Sequence, residues 1–436
     1  MQNLYTQFKK SPLLVQILAS GWLIIMLLLP FHAFISTWGG TTIGPLEAWK
    51  AWKEVLLSLL VITAVAQSFR DHRMVKALWQ SWITKLIVLY GVWFVVVSML
   101  VGNQLKPLVV GLSIDLRLVT FLLISEIVFY YITPSRRVLT AIVLIPAGGV
   151  VVFGLLQRYI LPYDFLSWFG YRANETIAPY NTIDQQLSQL RILSTLRGPN
   201  PLGAYLILPG LVLFGVIVHF LRQYRKSKAR RDLWLYGVSA ISFIALLTVL
   251  YGSQSRSAWL GFIVAFGLFV LLSVPAKIRK LLLVTGIIGL VVTGAGVYQL
   301  RHTSFVQNVI LHDNPEIGPA VTSNSGHGEA LRQGLEDIQD KPLLGCGPGC
   351  AGPASFYDPD GARLSENYFL QVGQEVGVVG LILFTAITAL IARELYRQRL
   401  KPEALILLAS LLGLSVANLL LHVWADDTLG YVWWGL

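Results

Sequence analysis

Apolar runs of about 20 residues recur along the whole chain, separated by short stretches rich in polar residues, Gly and Pro. A helix rises about 1.5 Å per residue, so a run of about 20 crosses the roughly 30 Å of bilayer hydrocarbon. The runs fall at 12–38, 53–68, 84–101, 107–132, 137–160, 200–221, 232–250, 256–274, 281–298, 365–392 and 403–422, and an apolar stub follows at 428–436. The pattern predicts an all-α integral membrane protein with eleven transmembrane helices and a short twelfth. No 20–50-residue repeat or appended soluble stretch breaks it, so 1–436 reads as a single polytopic domain. The first run is too long, and lacks the small-residue cleavage site, for a removable signal peptide.

Two interruptions are long, 161–199 and 299–364. The first mixes Tyr163, Phe165, Trp168, Phe169 and Tyr171 with polar residues, a composition suited to a membrane interface. It ends in Gly-Pro-Asn-Pro, a turn that breaks the chain just before the next run. In the second, 327–340 has helical spacing with Leu331, Leu335 and Ile338 on one face, which predicts a short amphipathic surface helix.

Charge orients these elements. Hydrophobic residues make up 55% of the chain and charged ones 13%, with mean hydropathy +0.64, too few charges to cover a soluble surface. Of 34 basic residues, 21 lie in alternate connections, the densest being the run from Arg222 to Arg231. Positively charged loops stay in the cytoplasm, which predicts a cytoplasmic N-terminus and places both long loops outside. The net charge of +11 is therefore mainly a topology signal, and no basic face exists for nucleic acid. The arginines kept outside against this bias, Arg172, Arg191, Arg197, Arg256, Arg301, Arg332 and Arg363, point to an anionic ligand. Cys346 and Cys350 share the second long loop. Their short ring favours two small residues in a tight turn over a disulfide, and no histidine spacing marks a metal site.

Three polar stretches carry candidate chemistry. In 191–206 (RILSTLRGPNPLGAYL) the Gly-Pro-Asn-Pro turn opens a helix whose free N–H groups favour an anion, with Arg191 and Arg197 flanking it. In 251–262 (YGSQSRSAWLGF) Arg256 follows Gln254 and Ser255 at the outer start of a span. From Arg332 onward come a Pro-Leu-Leu-Gly turn at 342–345, Gly347-Pro348-Gly349, and Ser365-Glu366-Asn367-Tyr368 opening the next span, with Glu375 and Gly377 further in. Inside the spans, Asp115, Arg117 and Glu126 are costly at membrane depth and imply a polar cavity or a partner. Arg117 lies about 15 Å in, within reach of an outer cavity or of a neighbouring carboxylate.

These three stretches, in this order, resemble the O-antigen ligase/polymerase superfamily of membrane glycosyltransferases, best from about Arg191 to Gly380. Arg191, Thr195, Pro199, Asn200 and Leu202 match one of its elements. Ser255-Arg256-Ser257-Ala258-Trp259 matches another, with Ser257 replacing a glycine. The resemblance implies a GT-C-like fold in a bacterial inner membrane and an active site on the outer side. It implies a donor glycan on undecaprenyl diphosphate and an acceptor hydroxyl on a glycolipid, glycan or protein. Arg191, Arg197, Arg256 and Arg332 would bind the diphosphate, with Arg117 and Arg363 in reserve.

The ligase branch usually has a His-Asn pair where this chain has Glu366-Asn367. Glu366 is therefore the expected base, with Asn367 beside it. A carboxylate in a semi-apolar setting can take a hydroxyl proton; as a mere helix-start residue it would instead complement the helix dipole. His302, His312 and His327 are reserve bases. Asp358 and Asp360 look like turn residues, so neither a metal nor another cofactor is expected. Polymerase and protein O-oligosaccharyltransferase activities differ from ligation mainly in the acceptor. A transporter is the reading from another class; it would show broken helices with paired ionisable groups at mid-depth.

Overall fold

The structure is a computed structural model that describes residues 2–102, 104–183, 186–303, 306–307, 323–358 and 361–436. Its helices are α1 (Gln2–Lys10), α2 (Leu13–Leu28), α3 (His32–Thr42), α4 (Leu46–Arg70), α5 (His72–Leu78), α6 (Trp82–Val101), α7 (Leu105–Tyr131) and α8 (Arg136–Tyr159). A hairpin follows, β1 (Asn181–Ile183) antiparallel to β2 (Gln186–Arg191), with Asn181 opposite Arg191. Then come α9 (Pro199–Tyr205), α10 (Ile207–Ser227), α11 (Arg230–Gly252), α12 (Arg256–Ser273) and α13 (Ala276–Gln299). The chain continues with α14 (Ser323–Asp340), α15 (Tyr368–Arg397), α16 (Pro402–Asn418) and α17 (Asp427–Trp434).

Among the described residues ten helical stretches are long and apolar enough to cross a membrane, and α16 is a shorter apolar helix. Together they match the eleven predicted runs. Large apolar side chains such as Ile62, Phe69, Met99, Ile145 and Val291 stay exposed around the bundle, the surface a lipid environment requires. Alternation puts the described parts of the long segments 160–198 and 300–367 at one end of the bundle and the lysine- and arginine-rich connections at the other. The predicted twelfth span is instead α17, eight residues with Tyr431, Trp433 and Trp434 buried against the bundle interior. It is too short to cross a bilayer, so it plugs the core from the long-segment end.

Two breaks in the spans shape that end. Pro30 lacks an N–H and ends α2, leaving a 3-10 turn at Leu29–Phe31 before α3. The carbonyl of Pro30 accepts from Thr195 Oγ1 at 2.8 Å, and that of Leu29 from Thr428 Oγ1 at 3.3 Å. The second break lies at Val376–Gly377 within α15, where Gly377 has φ +68°. Its freed carbonyls are taken up too. Val376 O accepts from Trp93 Nε1 at 2.9 Å, Gln374 O from Cys346 N at 2.8 Å, and Glu375 O from Gly347 N at 2.9 Å. Unpaired backbone groups are too costly at membrane depth to go unanswered, so each break docks another segment.

The turn docked on α15 contains a Cys346–Cys350 disulfide, with Cα atoms 6.0 Å apart. This corrects the expectation of two unlinked small residues. Gly347 and Gly349, both at positive φ, curl the five-residue ring enough to bring the sulfurs together. Gly349 also lies against Pro107 and Leu108 of α7, where no side chain fits.

Helix α14 is longer than predicted and rests on a different face. Leu331 and Leu335 are exposed, while Gly334 lies against Ser365 and Leu370, and Ile338 against Gly373. The hairpin in 160–198 was not anticipated either, its strands being short and polar.

Candidate functional site

At the long-segment end, polar side chains from five parts of the chain meet. The first group surrounds the start of α9. Arg191 ends β2, and its guanidinium is held by neutral oxygens: Asn200 Oδ1 at 2.7 Å, Ser253 O at 3.0 Å and Gln254 O at 3.4 Å. Burial, followed by the nearby positive charge of Arg256, pulls its pKa down to about 10. Two motifs 65 residues apart in sequence thus place two guanidinium groups in one electrostatic field. Ser194 and Gln254, the non-glycine residues that shape these loops, are both in the left-handed region; such strain persists only where surrounding contacts over-determine it.

The second group is centred on Asp426 and Asp427 at the start of α17. Arg197 Nε lies 3.0 Å from Asp426 Oδ2, and Lys53 Nζ lies 3.2 Å from Asp427 Oδ2. Arg117 pairs closely with Asp427 Oδ1 and donates to the carbonyl of Ala425. His32 Nε2 is 3.4 Å from Asp427, and its Nδ1 accepts from Trp52 Nε1 at 2.9 Å. Glu54 completes the set beside Lys53 at 2.8 Å. Burial alone would raise the Asp427 pKa, but Arg117, then Lys53, hold it well below the usual carboxylate range. Asp426 is raised, since burial outweighs Arg197. Arg117 is therefore neutralised by α17 and not by Asp115.

The third group joins the end of the second long segment to the loop after α16. Glu366 is half-buried with φ +50°, and Asn367 follows as the N-cap of α15. Asn367 Oδ1 accepts from Phe369 N at 3.0 Å and Leu370 N at 3.1 Å, while its Nδ2 donates to Leu419 O at 3.2 Å. Its amide is thus committed to shaping the backbone around Glu366. Beyond Leu419 the loop brings in His422, whose ring feels both Glu366 and Arg197. This shared electrostatic field connects the third group to the second.

Deeper in the bundle, Asp115 and Glu375 are fully buried against each other. Asp115 Oδ1 accepts from Gln371 Nε2 at 3.2 Å, and Glu375 Oε1 from Gly349 N at 3.1 Å. Glu126 lies further along α7 and accepts from Thr84 Oγ1 at 3.1 Å.

Not every predicted residue joins. Arg332 is exposed on α14 and paired to Glu329 and Glu336, both at 2.7 Å. Arg363 faces Asp337 at 3.6 Å. His327 falls in α14 with its side chain outside the described residues, where His312 and Asp360 also lie. Sequence reasoning missed His32, Lys53, Glu54, His422, Asp426 and Asp427. The signal was available for Lys53 and Glu54, two charges at the edge of an apolar run, and for the Asp-Asp pair before an aromatic stub. No group of three or more His, Cys, Asp or Glu able to hold a metal ion occurs among the described residues.

Residues 241–385 match the family model described as O-Antigen ligase. This supports an O-antigen ligase-like assignment for the chain, in agreement with its all-α membrane fold. The matched stretch contains Arg256, Arg332, the disulfide turn, Glu366 and Glu375. Arg191, Arg197, His422, Asp426 and Asp427 lie outside it. A search of curated proteins finds no match.

Proposed function

We propose that this chain transfers a glycan from undecaprenyl diphosphate to an acceptor hydroxyl at the outer face of the cytoplasmic membrane, without a metal. The observation that carries the reading is the convergence of Arg191 and Arg256 beside the α9 start. Two guanidinium groups gathered at one helix start offer a diphosphate charge-assisted, bidentate hydrogen bonds. Arg197 borders the same helix start. Arg332 and Arg363, engaged by carboxylates on or near α14, are rim groups that would meet the donor as it enters.

The reaction follows from the leaving group. The acceptor oxygen forms a bond to the anomeric carbon as the bond to the diphosphate breaks, with inversion. The arginines offset the charge developing on the departing oxygen, and the hydroxyl proton passes to the Glu366 side chain. Asn367 holds the backbone there and acts as a positioning residue. The Cys346–Cys350 disulfide supports an oxidising outer compartment for this end of the bundle, in line with the positive charge at the opposite end.

The test is transfer by the purified protein from an undecaprenyl-diphosphate-linked oligosaccharide. Three acceptors are offered separately: a lipid A–core glycolipid, a second donor molecule, and a serine-bearing peptide. The acceptor that works separates ligase, polymerase and protein transferase. Glu366→Gln should lower the rate by about 10²–10⁴-fold with donor binding retained, whereas Arg191→Gln should weaken donor binding as well. No transfer to any of the three acceptors would overturn the reading.

One observation favours a second reading. The broken spans at 29–31 and 376–377, with Arg117, Asp115 and Glu375 buried nearby, are the kind of arrangement transporters use. Proton or anion flux in proteoliposomes, in the absence of glycan transfer, would select it.

A further inference from the structure

The ligase-like motif leaves this chain with a carboxylate, Glu366, where an imidazole is expected, yet the fold brings an imidazole to that place from elsewhere. The loop after α16 is pinned at three points. Asn367, the residue next to Glu366, donates to Leu419 O at 3.2 Å. Asn418 Oδ1 accepts from Trp424 N at 3.1 Å, closing the loop on itself. Arg197 then holds Asp426 at 3.0 Å. Between these ties sits His422, half-buried, with an Nε2 that meets no hydrogen-bond partner among the described residues. A buried ring nitrogen without a partner is costly, and such groups persist where a ligand or a proton is expected.

We propose that His422 and Glu366 act as one unit in the transfer reaction read above, on which this inference rests, with the role of Glu366 revised: His422 takes the proton of the acceptor hydroxyl in its place, and Glu366 orients the ring and stabilises the imidazolium that forms. The bookkeeping is simple. The acceptor oxygen bonds to the anomeric carbon, the diphosphate leaves with the electron pair of the broken bond, and the proton ends on the imidazole. A carboxylate beside an imidazole selects its tautomer and leaves the other nitrogen free to accept.

The surroundings suit that task. The charged groups around the ring are Glu366 on the α15 side, Arg197 before α9, and Asp426 paired to Arg197. Burial, opposed by Glu366 and aided by Arg197, brings the His422 pKa down to about 4, so the resting ring is neutral and able to accept a proton. A diphosphate bound beside Arg197 offsets that positive field and raises the basicity of the ring. The base is then strengthened only when the donor is in place.

The experiment uses the transfer assay above, with the donor oligosaccharide and whichever of the three acceptors is used by the wild-type protein. His422→Asn is expected to lower kcat by about 10²–10⁴-fold with donor affinity retained. The double variant Glu366→Gln/His422→Asn should be scarcely worse than either single one, as for residues acting as a unit. Wild-type kcat/KM should fall as pH falls through the pKa of the base, and His422→Asn should lose that limb. Near-normal transfer by His422→Asn with an inactive Glu366→Gln would overturn the inference and leave Glu366 as the sole base. Loss of transfer in the wild type with all three acceptors would overturn the underlying reading instead. Should His422→Asn not fold, His422→Ala with added imidazole replaces it. Restored transfer supports the unit, and a folded His422→Ala that imidazole does not restore overturns it.

Discussion

At the scale of single residues, this protein gathers buried charge around the start of α17 and compensates it locally. Asp427 accepts ion pairs from Arg117 and Lys53 at once, with His32 Nε2 3.4 Å away. Asp426 takes Arg197. His422 gives a pH prediction that does not depend on catalysis. Its folded pKa, about 4, lies below the ordinary 6.5 because burial disfavours the charged ring. Between those values the unfolded chain binds the extra proton and the folded one does not, so stability rises with pH across that window. It is fully present above about 6.5 and lost as pH falls toward 4. Thermal melts at a series of pH values should show the wild type losing stability relative to His422→Asn as pH drops from 6.5 to 4. Parallel curves would show that the ring is not held neutral.

At the scale of elements, broken helices do the positioning. The α15 break exposes carbonyls that dock the disulfide turn, and the Pro30 break exposes carbonyls that dock Thr195 and Thr428. Gly377 can be tested directly. Its φ is +68°, and a Cβ there would run into the backbone of Leu343 and Leu344. With ψ −176° this is a backbone region open essentially to glycine, costing another residue about 1–3 kcal/mol, and the clash adds to it. Gly377→Ala should lower the melting temperature and loosen the turn that Gln374 and Glu375 hold. Gly148→Ala, in α8 with open space at its Cβ, should hold or raise the melting temperature. Equal melts for the two variants would show that the break carries no structural demand.

At the scale of the whole molecule, the basic residues collect at one end and the candidate site at the other. If the positively charged end is cytoplasmic, a lone cysteine at Lys228, in the α10–α11 connection, should resist a membrane-impermeant thiol reagent in intact cells. The labelling is done on a variant with Cys346 and Cys350 replaced, and a cysteine in the 161–199 segment should react. Labelling at 228 from outside would invert the topology. Apolar run length and charge alternation were enough to read the spans, because hydrocarbon thickness and helix rise impose a fixed length on every crossing. The stretches containing Arg191, Arg256 and Glu366 were legible as motifs for a local reason: each pairs a turn with a polar side chain at a span boundary. Only the tertiary structure decided that α17 plugs the core, since a short stretch rich in aromatic residues looks alike whether it ends a span or fills a bundle. It alone brought Lys53, Arg117, Arg197, Asp426 and Asp427 into one network, brought Arg191 into the field of Arg256, and tied the loop that contains His422 to Asn367, next to Glu366. It equally decided that Arg332 turns to its own helix. Pairings between distant segments follow from which helix ends pack together, and no local pattern in a chain records that.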